Sequence, residues 1–271
     1  MKTVRGTCLA AVLGVYACAI GAGPLTGGSY ELQDRAHAGE RPGAVHWLGT
    51  DDLGRDRLVR LLYGARTSLV LAPAAALLAT AIATFLGSAA ALAGGRFERA
   101  ALYLVDVVAS TPWFFALLLM RSVLPLNVDP AVSVSITFAI LGLLGWPHGV
   151  RPVAARSAAV IRSEFMRQAR ASGIGRMRLL RAHMVPNLMP VVAAHFWATL
   201  PVFILAEANL SLLGLGVAEP LPSLGNLMSE FRDHRAIAER PWLLAPAVLL
   251  IGMIAALQVI SKKGTTSHDC T

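Results

Sequence analysis

Six apolar runs, separated by polar segments of unequal charge, set the pattern of this chain. They cover roughly residues 7–23, 67–94, 100–124, 131–146, 188–205 and 241–260, lengths near the ~20 helical residues that cross ~30 Å of hydrocarbon. Backbone amides cannot stay unpaired in lipid, so each run is predicted to be a helix. Cations sit unevenly between them. Between the fourth and fifth runs, Arg151, Arg156, Arg162, Arg167, Arg170, Arg176, Arg178 and Arg181 face the single acid Glu164. Lys2 and Arg5 precede the first run, Arg96 and Arg99 divide the second from the third, and Lys262 and Lys263 follow the sixth. Lysine and arginine collect in cytoplasmic loops, so these segments share one side and both termini are placed in the cytoplasm.

The predicted fold is all-α: a polytopic, multi-pass membrane protein with about six transmembrane helices and an amphipathic cytoplasmic loop. Residues 1–26 form an N-terminal transmembrane helix and 27–66 an extracytoplasmic loop. Residues 67–260 form a five-helix membrane domain that includes the cytoplasmic loop 151–187 and an outer region 207–240, and 261–271 is a cytoplasmic tail. The basic start and short first run also fit a signal peptide, with Val15-Tyr16-Ala17-Cys18 as its cleavage site. Alternation of charge across the later loops requires the run to be retained.

Composition agrees. At 55% hydrophobic and 15% charged residues, with mean hydropathy +0.59, the chain is too apolar to cover its surface from one soluble core. A net charge of +8 would point to nucleic acid in a soluble protein; here the excess flanks apolar runs, which makes membrane lipid the partner and not nucleic acid. Cys8, Cys18 and Cys270 form no disulfide framework or metal spacing.

The segment 164–187, EFMRQARASGIGRMRLLRAHMVPN, organises the rest. Phe165, Ala169 and Ser172 fall at helical spacing, and Met177, Leu180 and Met184 resume it beyond Gly173 and Gly175. Two short helices joined at a glycine bend are predicted, with Pro186 ending the second. This segment resembles the EAA loop of permease subunits of binding-protein-dependent ABC importers, whose pattern is Glu-Ala-Ala, three residues, Gly, and about nine residues to an apolar-x-Pro close. Arg167, Gln168 and Ala169 stand at the three letters, followed by Gly173 and by His183-Met184-Val185-Pro186-Asn187. Arg167 and Gln168 depart from the family's Glu and Ala.

Two further stretches resemble the dipeptide, oligopeptide and nickel branch of that family. One runs from His46 to Leu58 and contains Gly49, Thr50, Asp51, Gly54, Arg55 and Asp56; the other runs from Ala206 to Val217 and on through Pro220, Pro222, Ser223, Gly225 and Asn226. The likeness covers the chain from His46 to about Trp242. By residue chemistry alone, Thr50 or Asp51 is expected to cap the helix that follows, and Asp56 to pair with Arg60 one turn later. A divalent cation on Asp51, Asp52 and Asp56 is the competing reading, opposed by the interleaved Arg55 and Arg57.

The chain contains no Gly-Lys-Ser/Thr phosphate loop, no nucleophile elbow and no histidine pair at ligand spacing. An enzyme is not expected, and neither is a cofactor or metal in this chain. The resemblance implies a translocation subunit in the cytoplasmic (inner) membrane of a prokaryote, paired with a homologous second permease subunit. It further implies two ATP-binding subunits that hold the ATP and an extracytoplasmic substrate-binding protein. The coupling loop would then be carried by Glu164, Arg167, Gln168, Ala169, Gly173, Arg178, Pro186 and Asn187. Asp106 and His195 are candidates for the translocation path, because ionisable groups within spans tend to face a protein interior or an aqueous route. Pro112, Pro147 and Pro201 are expected kinks. Peptides are the first choice of solute, and nickel or another small solute the second. A different class stays open: a polytopic scaffold or regulator whose basic loop recruits lipid or a soluble protein.

Overall fold

The computed structural model describes residues 29–123, 129–217, 219–232 and 234–261, together with positions 14, 17 and 21. Apart from those three positions, the span expected at 7–23 lies outside the described residues, as does the tail beyond Ser261. The longest helix, α1 (Arg57–Ala93), begins ten residues before the apolar run that predicts it. Its start is set by Asp56 and not by Thr50 or Asp51: Asp56 Oδ1 accepts from the amides of Leu58 at 2.8 Å and Val59 at 3.1 Å, satisfying donors that a helix start leaves free. Asp56 also does not pair with Arg60, because its other oxygen meets His46 Nδ1 at 2.8 Å. Small residues line the inner face of α1, with Ala65, Ala72, Ala76, Ala79, Ala83 and Gly87 buried. Such a face lets a neighbouring backbone approach closely. A Cβ on Gly87 would lie 2.7 Å from the Val150 carbonyl.

The third and fourth spans are each broken. Helices α2 (Gly95–Ser110) and α3 (Trp113–Val123) meet at 70°, and α4 (Pro130–Leu144) and α5 (Pro147–Arg162) at 42°. Pro112 and Pro147 stand at these breaks, each without an amide donor; Thr111 before Pro112 is extended, whereas Trp146 before Pro147 keeps helical backbone. Pro201, by contrast, lies inside an unbroken helix. The first part of the expected loop 151–187 is helix α5. Val150, Val153, Ala154, Ser157 and Val160 are buried at steps of three and four, the spacing of one helix face.

Beyond α5 come α6 (Glu164–Ala171), α7 (Arg176–Leu179), a π-helical turn over Leu180–Met184, and α8 (Val185–Leu212). Pro186 does not end the second helix. The Val185 amide reaches back five residues to the Leu180 carbonyl, and Pro186 then occupies the first turn of α8, where a missing amide costs little. Met177–Leu212 is therefore a single apolar rod of 36 residues.

The wide turn also moves the apolar face. Leu179, Met184 and Leu188 are buried together with Met166 and Val160, whereas the expected face residues Phe165 and Met177 are exposed. A five-residue step from 179 to 184 keeps one face inward only because that turn is wider than an α-turn.

The final helix, α11 (Ala245–Ser261), follows α9 (Leu224–Leu227) and α10 (His234–Glu239). Among the described residues, three helices are long and apolar enough to cross a membrane singly, and five crossings result if each bent pair is one span. Leu117, Leu141, Phe203, Ile204 and Leu210 centre the shared core. Phe85, Tyr103, Phe115, Val248 and Ile251 lie on the outside, an apolar exterior suited to lipid or protein neighbours and not to water.

Candidate functional site

The basic segment takes its shape from the end of α6. Gly173, at φ +74°, donates its amide to Arg170 O at 3.1 Å, and Ile174 donates to Ala169 O at 3.3 Å. This is the paired closure in which a left-handed glycine ends a helix. Ile174 turns inward beside Val160 and Met166. Behind the turn lies a cavity of ≈ 580 Å³ bordered by Leu92, Met166, Ile174, Leu179 and Met184, with Arg170 at its edge.

The coupling candidates divide between two faces. Glu164, Arg167, Gln168, Gly173, Arg178 and Pro186 are exposed, whereas Ala169 is buried and Asn187 half-buried. Arg167 Nη2 donates to Glu164 Oε2 at 2.5 Å, one helical turn away. Asn187 Nδ2 donates to His183 O at 2.7 Å, and its own carbonyl accepts from Arg156 Nε at 3.1 Å. Asn187 thus ties α5 to the start of α8.

At the opposite end of α1, the His46–Leu58 stretch folds into a charged clamp. Asp51 Oδ1 accepts from the amides of Leu53 and Arg55, both at 2.9 Å, while Oδ2 accepts from Arg55 Nε at 2.6 Å. Burial alone would raise the Asp51 carboxyl, but the Arg55 amide and guanidinium outweigh it and hold the pKa below the ordinary 3.8. Arg55 Nη1 reaches Glu219 at 2.9 Å, and Arg60 Nη2 reaches both Glu219 oxygens, at 2.8 and 3.1 Å. Gly49 and Gly54 take left-handed backbone. A Cβ on Gly54 would stand 1.8 Å from Asp34 O, and one on Gly49 2.3 Å from Glu40 O. Thr50 is buried, accepting from the Glu40 amide at 2.9 Å. The three aspartates face different groups: Asp51 meets Arg55, Asp52 meets Arg240 at 3.6 Å, and Asp56 meets His46.

Glu219 carries this clamp and is not among the residues the sequence pattern singles out; Glu207, within the Ala206–Val217 stretch, makes a separate buried contact. Glu207 is fully buried on α8, and its Oε1 accepts from Ser211 Oγ at 2.9 Å and Ser223 Oγ at 2.7 Å. Ser223 also caps α9, in a reciprocal pair with Asn226. The available signal is a carboxylate one turn before a serine, within an apolar run.

The two path candidates lie apart. Asp106 on α2 is held by Arg151 of α5 through both of its oxygens, on an exposed face. His195 sits inside, and a Cβ on Gly149 would fall 2.5 Å from its Nε2. It borders a cavity of ≈ 330 Å³ shared with Trp113, Gly145, His148, Ala198 and Thr199.

Comparison with known proteins agrees with this architecture. Residues 61–262 match the family described as binding-protein-dependent transport system inner membrane component. The chain is 32% identical over 245 residues to the oligopeptide transport system permease protein OppC of Mycobacterium tuberculosis, covering 90% of this chain and 82% of that one. Its identity to the protein of the same name from Bacillus subtilis is 33% over 215 residues, 79% of this chain and 68% of the other.

Proposed function

The chain belongs to the family of binding-protein-dependent transport system inner membrane components, and from that premise we propose that it is the permease subunit of an ABC importer carrying peptides across the cytoplasmic membrane. The peptide assignment draws on its similarity to oligopeptide permeases. One further observation carries the mechanism. An exposed basic turn is built directly onto the 36-residue rod Met177–Leu212, so a displacement at the turn is passed along the rod into the membrane.

In this reading the chain forms half of the passage and a homologous permease the other half. Two ATP-binding subunits lie on the side of Arg167, and a substrate-binding protein approaches the clamp around Asp51 and Glu219. ATP is held by the partners. Their closure draws the 164–187 segment with it, and the breaks at Pro112 and Pro147 are where the remaining spans can change angle. Eight arginines against one Glu between 151 and 187 favour an ATPase groove lined with carboxylates.

Affinity purification of the tagged chain from its own membranes tests this. ATP-binding subunits should co-purify with the native chain and be lost, along with peptide uptake, on Gly173→Trp or on deletion of residues 167–175. Normal assembly and uptake in those variants would overturn the reading.

A further inference from the structure

Both broken spans break at one place. The bend between α2 and α3 leaves Trp113 beside the ≈ 330 Å³ cavity, and the bend between α4 and α5 leaves Gly145 and His148 there. His195 closes the group from α8. It lies midway along Met177–Leu212, about 26 Å from either end at 1.5 Å per residue. The cavity is thus at mid-depth of the rod, where two helix breaks withhold the regular backbone bonding that lipid demands.

Its lining has a definite chemistry. None of its residues is a carboxylate, a lysine or an arginine, and the nearby pair Asp106 and Arg151 is engaged with itself on another face. What remains is two imidazoles, a hydroxyl, an indole and apolar side chains. Thr199 Oγ1 donates to His195 O at 2.7 Å, leaving its oxygen free to accept. A neutral imidazole offers one donor and one acceptor; His195 Nε2 is buried against Gly149, so that ring can serve a ligand through Nδ1. A peptide main chain presents the complementary groups at each residue whatever its side chains are, and the cavity volume falls within the ~300–1,000 Å³ of small-ligand sites.

We propose that this cavity is a passage subsite for the main chain of a transported peptide, with His148, His195 and Thr199 exchanging hydrogen bonds with its amides and no fixed charge to select among its side chains. The inference rests on the peptide-importer reading and adds a place and a chemistry to it. Ala198, exposed on the cavity wall, is where a charge can be introduced.

The test measures uptake of Ala-Ala-Ala, Ala-Lys-Ala and Ala-Asp-Ala in cells of the native strain carrying chromosomal variants. In the unaltered protein the binding partner's preference sets the baseline. Ala198→Asp should raise the ratio of Lys-peptide to Asp-peptide uptake about tenfold over that baseline, and Ala198→Lys should lower it by a similar factor, as expected for a charge a few ångströms from the passing side chain. Should either variant fail to assemble, Ala198→Cys labelled in place with cationic or anionic methanethiosulfonate reagents gives the same comparison. Ratios unchanged by both charges overturn the subsite while leaving the importer reading intact. Absence of uptake of any of the three peptides by the unaltered protein, equal to that of a deletion strain, overturns the importer reading and the subsite with it.

Discussion

Ser223 Oγ donates to Glu207 Oε1 at 2.7 Å, fastening the end of α8 to the cap of α9. Ser211 donates to the same oxygen at 2.9 Å. Glu207→Leu would strand both hydroxyls in a dry interior, at ~1–3 kcal/mol each. The melting temperature of the purified, detergent-solubilised chain should fall by several degrees, and Glu207→Gln, which keeps an acceptor oxygen of the same shape, should restore most of the loss. Equal melting of Glu207→Leu and the native chain would rule out a fastening role.

The clamp around Asp51 should open in acid. Asp51 has a folded pKa below the ordinary 3.8, so its stabilising contribution is present above the unfolded value and is lost as pH falls through the folded one. Hydrogen exchange at the amides of Leu53 and Arg55, corrected for intrinsic rates, should remain slow from neutral pH to about pH 5 and accelerate below about pH 4. Asp51→Asn should exchange quickly throughout. A native profile flat across that range would exclude the carboxylate as the closing element.

Much of this architecture is legible in the chain because lipid imposes a simple rule on helix-length apolar runs. The start of α1 is less legible. Arg57 and Arg60 look too polar to open a membrane helix until Glu230 and Glu219, more than 150 residues away, are seen to meet them at 2.6 and 2.8 Å. The face of the 164–187 segment is misread for a local reason: a 3.6-residue period selects Met177, whereas the wide turn selects Leu179. Glu207 lies within the Ala206–Val217 stretch, but its partner Ser223 is 16 positions away, and no period in the sequence joins the two.

Arg167 offers a way to separate stability from coupling. Its pair with Glu164 is about two-thirds exposed on both sides, and such pairs contribute ~0.2–1 kcal/mol. Arg167→Ala should therefore leave melting within about a degree of native. If the residue faces an ATP-binding subunit, transport should nevertheless drop severalfold. Native uptake in this variant would remove Arg167 from the contact.

Gly173 is a conformational requirement and not a packing one. Its φ is +74°, and an added Cβ would meet nothing within 4 Å. Gly173→Asn, tolerated in left-handed backbone, should retain near-native transport, while Gly173→Val should lose much of it for a strain of ~1–2 kcal/mol. The reverse ranking, read by peptide uptake at equal membrane abundance, would mean that bulk matters there and not backbone hand.

The π turn at Leu180–Met184 gives the rod a joint at which the residue count can change. Removing one residue from an ordinary helix shortens it by ~1.5 Å and twists one end against the other by ~100°. Removing one from this turn would let the regular winding close through it with Leu179 and Met184 still on one face, because four residues of α-helix complete the turn that five complete here. At this joint a single-residue deletion would leave the upstream arginines pointing nearly where they do now.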